Sequence, residues 1–168
     1  MANTFTSLHY HIVFSTKHRE PWIRSDIQDR LWTYLGGIAR ENGLKAILIG
    51  GMPDHVHLAL AIPPTQAVSK AVQVIKGGSS KWIKDALPGM RGFPWQDGYG
   101  AFTVSKSNLD EVVDYIRTQP EHHRVKHFRR NTWPFWSATE LNTTNGICGI
   151  EFNRRSATSQ PVRHSSVA

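Results

Sequence analysis

Two stretches of this chain alternate strictly, and that alternation limits the folds open to it. In 8–15, LHYHIVFS, the residues Leu8, Tyr10, Ile12 and Phe14 fall on one side, and His9, His11, Val13 and Ser15 on the other. In 55–62, HVHLALAI, the residues Val56, Leu58, Leu60 and Ile62 fall on one side, and His55, His57, Ala59 and Ala61 on the other. A period of two marks strands with one face against a core. Between and after them the period changes. Ile27, Leu31, Leu35 and Ile38 recur at helical spacing, opened by the capping-box pattern Ser25-Asp26-Ile27-Gln28 and stopped at Gly43. The Gly36-Gly37 pair inside that helix is unfavourable unless the helix packs closely on the sheet. A strand at 44–49 turns through Gly50-Gly51-Met52-Pro53-Asp54 into the strand at 55–62, giving a hairpin.

A second helix follows over 66–87, with Val68, Val72 and Ile75 on one face and an interruption at Gly77-Gly78. The Gly- and Pro-rich PGMRGFPWQDG of 88–98 reads as a loop, and 99–106 as a fourth strand. Ser107-Asn108-Leu109-Asp110 then caps a third helix, which Pro120 kinks or ends. The order β-α-β-β-α-β plus a C-terminal helix predicts an α+β fold, a ferredoxin-like or RRM-like antiparallel sheet. Its first and third strands are central, adjacent and antiparallel. Two helices cover one sheet face, and the other is left for function or for another chain.

The 168 residues predict one folded domain over 1–128 and an atypical segment over 129–168 that ends in a small, polar, disordered tail. A single cysteine excludes an intramolecular disulfide. No signal-peptide layout and no apolar run of the ~20 residues needed to span a bilayer is present, so a cytoplasmic protein without a membrane partner is expected. Twenty Lys and Arg against thirteen Asp and Glu leave a formal charge of +7. That surplus favours a polyanionic partner such as nucleic acid, or serves only solubility.

Three constellations bear chemistry. Residues two apart in a strand project to the same side, so His55 and His57 present two imidazoles together, flanked by the small Ala59 and Ala61. They form either half of a divalent-metal site or two ordinary polar residues on a solvated sheet face. His9 and His11 are a rival pair on the neighbouring strand, as ligands, as supports behind the ligands, or as phosphate contacts. On the third helix, Tyr115 and Gln119 stand four apart and share a face. They offer a nucleophile and a neutral oxygen ligand, or else a half-buried core tyrosine beside a solvated glutamine. Lys76, Lys81 and Trp82, with Arg91 and Trp95 of the loop, suit a phosphate backbone and an unstacked base, or equally a charged helix face with core tryptophans.

These stretches occur together in a known order. YHIVFSTKHREP (10–21), IGGMPDHVHL (49–58), IKGGSSKWI (75–83), WQDGYGAFTVSKS (95–107) and VVDYIRTQPEHH (112–123) resemble the insertion-sequence transposases of the HUH superfamily, the transposase-A kind with one catalytic tyrosine and single-stranded DNA as substrate. The resemblance runs from about Thr6 to His127. It implies that His55 and His57 are metal ligands, Gln119 the third ligand on the tyrosine's helix, and Tyr115 the nucleophile that forms a 5′-phosphotyrosine. It implies Mg²⁺ or Mn²⁺, a homodimer in which the tyrosine helix can complete the partner's site, and recognition of hairpin DNA ends. Lys106 and Arg117 are candidate cations for offsetting tyrosine ionisation and contacting DNA. After Phe128 the chain departs from the family pattern: a second amphipathic helix is expected, with Gly149-Ile150-Glu151-Phe152 as its remnant. That departure leaves an alternative, a protein of the same fold that holds DNA hairpins but is impaired in cleavage.

Overall fold

The structure, a computed structural model, describes residues 5–119. The elements are β1 (His9–Ser15), α1 (Ser25–Glu41), β2 (Lys45–Met52), β3 (His55–Ala61), α2 (Val68–Ala86), β4 (Gly100–Val104) and α3 (Leu109–Arg117), with short 3₁₀ turns at Lys17–Arg19 and Lys106–Asn108. The sheet order is β2-β3-β1-β4, and every pairing is antiparallel. The expected topology therefore holds, with β1 and β3 at the centre. The expectations for 120–168, including the second amphipathic helix and the tail, lie outside the described residues. Among the described residues no helix is long and apolar enough to cross a membrane.

One sheet face carries the main core. Ile12, Phe14, Val56, Leu58 and Leu60 pack against the buried stripes Ile27, Leu31, Leu35 and Ile38 of α1 and Val72, Ile75 and Ile83 of α2. Gly77-Gly78 does not interrupt α2. The helix runs through, and a Cβ at Gly78 would stand 3.0 Å from the Ile38 side chain of α1, so the glycine permits close helix contact. The Gly36-Gly37 pair has no such cause: a Cβ at Gly36 would make only ordinary contact with Ile49, and one at Gly37 would meet nothing within 4 Å. The 88–98 segment is a loop, as expected, and it buries Met90, Phe93 and Trp95 in the core.

The other sheet face is not left open. α3 lies across β2 and β3, where Val112 and Ile116 pack on Ala59 with Leu48 and Ile47 beside them. A β-bulge makes this possible. The register of β2 on β3 shifts between Ala46 and Leu48, so Ala46 and Ile49 both face the main core although three residues apart. Gly50 gives α3 its close approach: a Cβ there would stand 3.0 Å from Ile116 Cγ2. The start signals also differ from the sequence pattern. α1 begins at Ser25 itself, with Arg24 as N-cap and no side-chain cap, and the Arg24 guanidinium instead holds Asp26 at 3.0 Å. Before α3 the capping oxygen is Ser105 Oγ, which accepts from the Asn108 backbone N–H. α3 ends at Arg117, three residues before Pro120.

Candidate active site

β1 and β3 pair with His11 opposite Ala59, Val13 opposite His57 and Ser15 opposite His55, so these side chains share the α3 side of the sheet. His55 and His57 are 1% and 3% exposed, which rules out two polar residues on a solvated face. Because Ala59 is small, His11 leans diagonally toward His57. Their rings stack at 5.1 Å, and His11 Nε2 lies 2.8 Å from His57 Nδ1 in a hydrogen bond. Burial pushes the His11 imidazole down to about 4, so it is neutral near pH 7. His9, the other member of the rival pair, lies at the far end of β1, 3.4 Å from Ser7 Oγ, and does not join this cluster.

His55 is held from the opposite end. Its Nδ1 lies 2.6 Å from Asp54 Oδ1, while Arg19 binds Asp54 Oδ2 at 2.7 Å. The Asp54 carbonyl accepts from both the backbone N–H and the hydroxyl of the buried Thr16, which anchors the turn. Burial pushes the Asp54 carboxyl up, but the hydrogen bonds of His55 and Arg19 and the Arg19 charge outweigh it and bring it down to about 2. Arg19 reaches this position from a turn in which His18 and Arg19 both have positive φ, at 56° and 58°. Asp54 and Arg19 escaped the sequence reading, where Asp54 served only as a turn residue. Its place directly before His55 was the available signal.

α3 brings Tyr115 over this cluster. The Tyr115 ring is half-buried, 5.6 Å from the His57 ring and 6.0 Å from the His11 ring, edge-on to both. Phe102 of β4 lies 6.3 Å from His11 on its other side. Gln119 is 1% exposed, not solvated, and stands two residues beyond the end of α3, again in helical conformation after a turn at Thr118. Among the described residues no three His, Cys, Asp or Glu side chains form a metal-holding group. Gln119 is a buried amide two residues past the end of α3. Both histidine Nδ1 atoms are hydrogen-bonded to protein, which leaves the two buried Nε2 atoms as the nitrogens for coordination. Two imidazole nitrogens would suit a divalent cation such as Mn²⁺.

The residues expected at DNA divide. Lys76 is turned inward: its ammonium donates to the carbonyls of Gln96 and Gly98 at 2.6 and 2.7 Å and sits over the Phe14 ring. Burial lowers its pKa, with the Asp97 charge opposing. Trp95 is only 9% exposed and donates its indole N–H to Ser79 Oγ, so its ring belongs to the core. Trp82 stacks on Tyr34 at 4.4 Å within the helix layer, away from the histidines. Lys81, Arg91, Lys106 and Arg117 are exposed, and Arg117 pairs with Asp114 at 2.6 Å.

Comparison with known proteins adds a family. The profile of the family described as "Transposase IS200 like" matches residues 4–119. The ISDra2 transposase TnpA of Deinococcus radiodurans is 34% identical over 117 residues, which are 67% of this chain and 84% of that protein. The transposase for insertion sequence element IS200 of Salmonella typhimurium is 28% identical, over 74% of this chain and 85% of that protein. Among solved structures, a putative transposase from Deinococcus radiodurans superposes with a TM-score of 0.58 at 29% identity, covering 71% of this chain and 96% of that one. A REP-associated tyrosine transposase bound to a REP hairpin shares the fold at a TM-score of 0.54 and 16% identity, over 73% and 74% of the two chains.

Proposed function

Since the chain belongs to the IS200-like transposases, we propose that it cuts and rejoins single-stranded DNA at hairpin-bearing insertion-sequence ends, with Tyr115 as nucleophile and Mg²⁺ or Mn²⁺ held by His55, His57 and Gln119. The observation that carries this reading is the Tyr115 ring 5.6 Å from the buried His57, on the sheet side that His57 shares with His55. A phosphodiester is anionic and resists attack. When bound, the cation offsets charge on a non-bridging phosphate oxygen and on the departing oxygen.

The protein's own groups do the rest. Tyr115 Oη attacks phosphorus in line; the new O–P bond forms a 5′-phosphotyrosine, and the bond to the 3′ oxygen breaks. The tyrosine proton leaves as the nucleophile forms, and the departing 3′ oxygen ends protonated. Ionising a free tyrosine at pH 7 costs about 4 kcal/mol, from a pKa near 10. The phosphodiester energy is conserved in the tyrosine ester, so a 3′-OH can reverse the step at a new site without ATP. Packing of Ile116 on Gly50 holds α3, and with it Tyr115, against the histidine face. Within the same reading the protein acts as a homodimer, and the exposed Lys106 and Arg117 contact the DNA strand.

The test uses single-stranded DNA carrying the element's own ends, labelled on the 5′ or the 3′ flank, with Mn²⁺. A protein–DNA adduct that survives denaturation, and is lost in Tyr115→Phe and in His57→Ala, is the expected result. Hairpin binding by the unmodified protein with no adduct would sink the enzyme and leave a DNA-binding protein of the same fold.

A further inference from the structure

We propose that Asp54 and His11 are positioning residues that fix the tautomers of His55 and His57, each accepting an Nδ1 proton so that both rings present an Nε2 lone pair to the cation. The inference rests on the metal role of His55 and His57 proposed above. It begins with an asymmetry in what touches the two rings. The His55 Nδ1 has two neighbours, Asp54 Oδ1 at 2.6 Å and Arg19 Nη2 at 3.2 Å. They demand opposite tautomers: the guanidinium only donates, and the carboxylate only accepts. A carboxylate oxygen 2.6 Å from a nitrogen lone pair would be repulsive, whereas 2.6 Å suits a charge-assisted N–H···O bond. The proton therefore sits on Nδ1. Arg19 serves Asp54 instead, with Nε at 2.8 Å and Nη2 at 2.7 Å from Oδ2, and so turns Oδ1 toward the histidine.

His57 has a neutral partner. Its Nδ1 meets His11 Nε2 at 2.8 Å, and an imidazole pair bonded in this way has two arrangements, one with each ring as donor. Coordination through His57 Nε2 requires the proton on His57 Nδ1, with His11 Nε2 accepting and His11 protonated on its own Nδ1. The stacked His11 ring then sets the rotation of the His57 ring as well as its tautomer. Thus one ligand is oriented by an ion pair reaching up from the 3₁₀ turn, and the other by a histidine on the neighbouring strand. Partners of this kind raise ligand basicity, and losing one typically weakens metal binding 10–100-fold.

The experiment has two readouts on the full-length chain. Long-range ¹H–¹⁵N correlation spectra of the metal-free protein report the tautomer of each histidine, with His55→Ala and His57→Ala assigning the signals. Titration with Mn²⁺ alone reports affinity. Both histidines should be protonated on Nδ1 and bare on Nε2. Asp54→Ala and His11→Phe should raise the Mn²⁺ dissociation constant about 10–100-fold, and His11→Gln, whose amide oxygen can accept the same proton, should restore most of it. An Nε2–H tautomer of either histidine in the unmodified protein overturns the inference without any variant having to fold. So does Mn²⁺ binding lost in His57→Ala but unchanged in both Asp54→Ala and His11→Phe. Mn²⁺ binding that persists in the His55→Ala, His57→Ala double variant is a separate failure: it removes the metal reading and the inference that rests on it.

Discussion

The two faces of β1 and β3 bury residues of opposite kinds. Toward α1 and α2 the strands present Ile12, Phe14, Val56, Leu58 and Leu60, all at 0–1% exposure. Toward α3 they present Ser15, His55 and His57, also buried, among Val13 and Ala59. An apolar face gains free energy by burial alone. A face of imidazoles loses it unless each polar atom is compensated. Equal burial therefore has different meanings on the two sides. On one it stabilises the fold; on the other the fold supports a costly polar cluster that stability alone does not require.

Truncation on the apolar face should show the larger stability effect. Leu58 is fully buried beneath both helices, so Leu58→Ala should cost about 2–5 kcal/mol through lost burial and the cavity left behind. Denaturant unfolding measures this. His57→Ala, one residue earlier on the opposite face, should cost far less stability while abolishing the DNA adduct. If the two variants unfold alike, the division between a stabilising face and a working face is lost.

Acid sharpens the contrast, because only the polar face titrates. His11 has its pKa lowered to about 4 in the folded chain, against 6.5 for an unperturbed histidine. The unfolded chain therefore takes up the proton first. The stability involved is fully present above about pH 6.5, and it is lost as pH falls from there toward 4. The loss approaches about 3 kcal/mol at the lower end. His11→Phe should flatten that part of the stability–pH curve, whereas Leu58→Ala should lower the whole curve without changing its slope.

How far this division could be read in the sequence follows from what alternation encodes. Period two in LHYHIVFS and HVHLALAI assigned each residue to a face, and the antiparallel register of His9–Ser15 on His55–Ala61 agrees with it, whereas Leu8 lies outside the strand and is exposed. It could not show that α3 would roof the histidine face. That depends on a bulge at Ile47 and on a glycine, Gly50, beneath Ile116, and neither has a periodic signature. Nor could it separate His11 from His9. Both point to the same side, and only the position of His57 on the next strand selects His11. Composition likewise left Trp95 open between a base contact and a core position; its indole fills the core beside Phe14 and Phe93.

Gly50 allows the α3 side to be disturbed without touching a histidine. In Gly50→Ala the new Cβ would stand 3.0 Å from Ile116 Cγ2 and 3.4 Å from the Ile116 carbonyl oxygen. The methyl contact is tight and the carbonyl beside it leaves no slack, so α3 should lift slightly from β2, at a cost of about 1–3 kcal/mol. Tyr115 rides on the same turn of the helix as Ile116. Adduct formation should therefore fall by more than the stability loss explains, measured at a temperature where the variant remains folded. Loss of stability with unchanged adduct yield would show that the α3 packing does not set the tyrosine's position.

The smallest effect should carry the opposite sign and come from the helix layer. Gly37 lies inside α1, and a Cβ there would meet nothing within 4 Å. Glycine in a helix interior is less favourable than alanine by about 0.5–1 kcal/mol, because the unfolded chain has more freedom to lose. Gly37→Ala should raise stability by that amount and leave adduct formation unchanged. The same substitution type thus stabilises at Gly37 and destabilises at Gly50. One site faces open space above the apolar core; the other lies under the element that carries the tyrosine. A stability loss in Gly37→Ala would show that this position of α1 is not open in the folded protein, and the contrast with Gly50 would be lost.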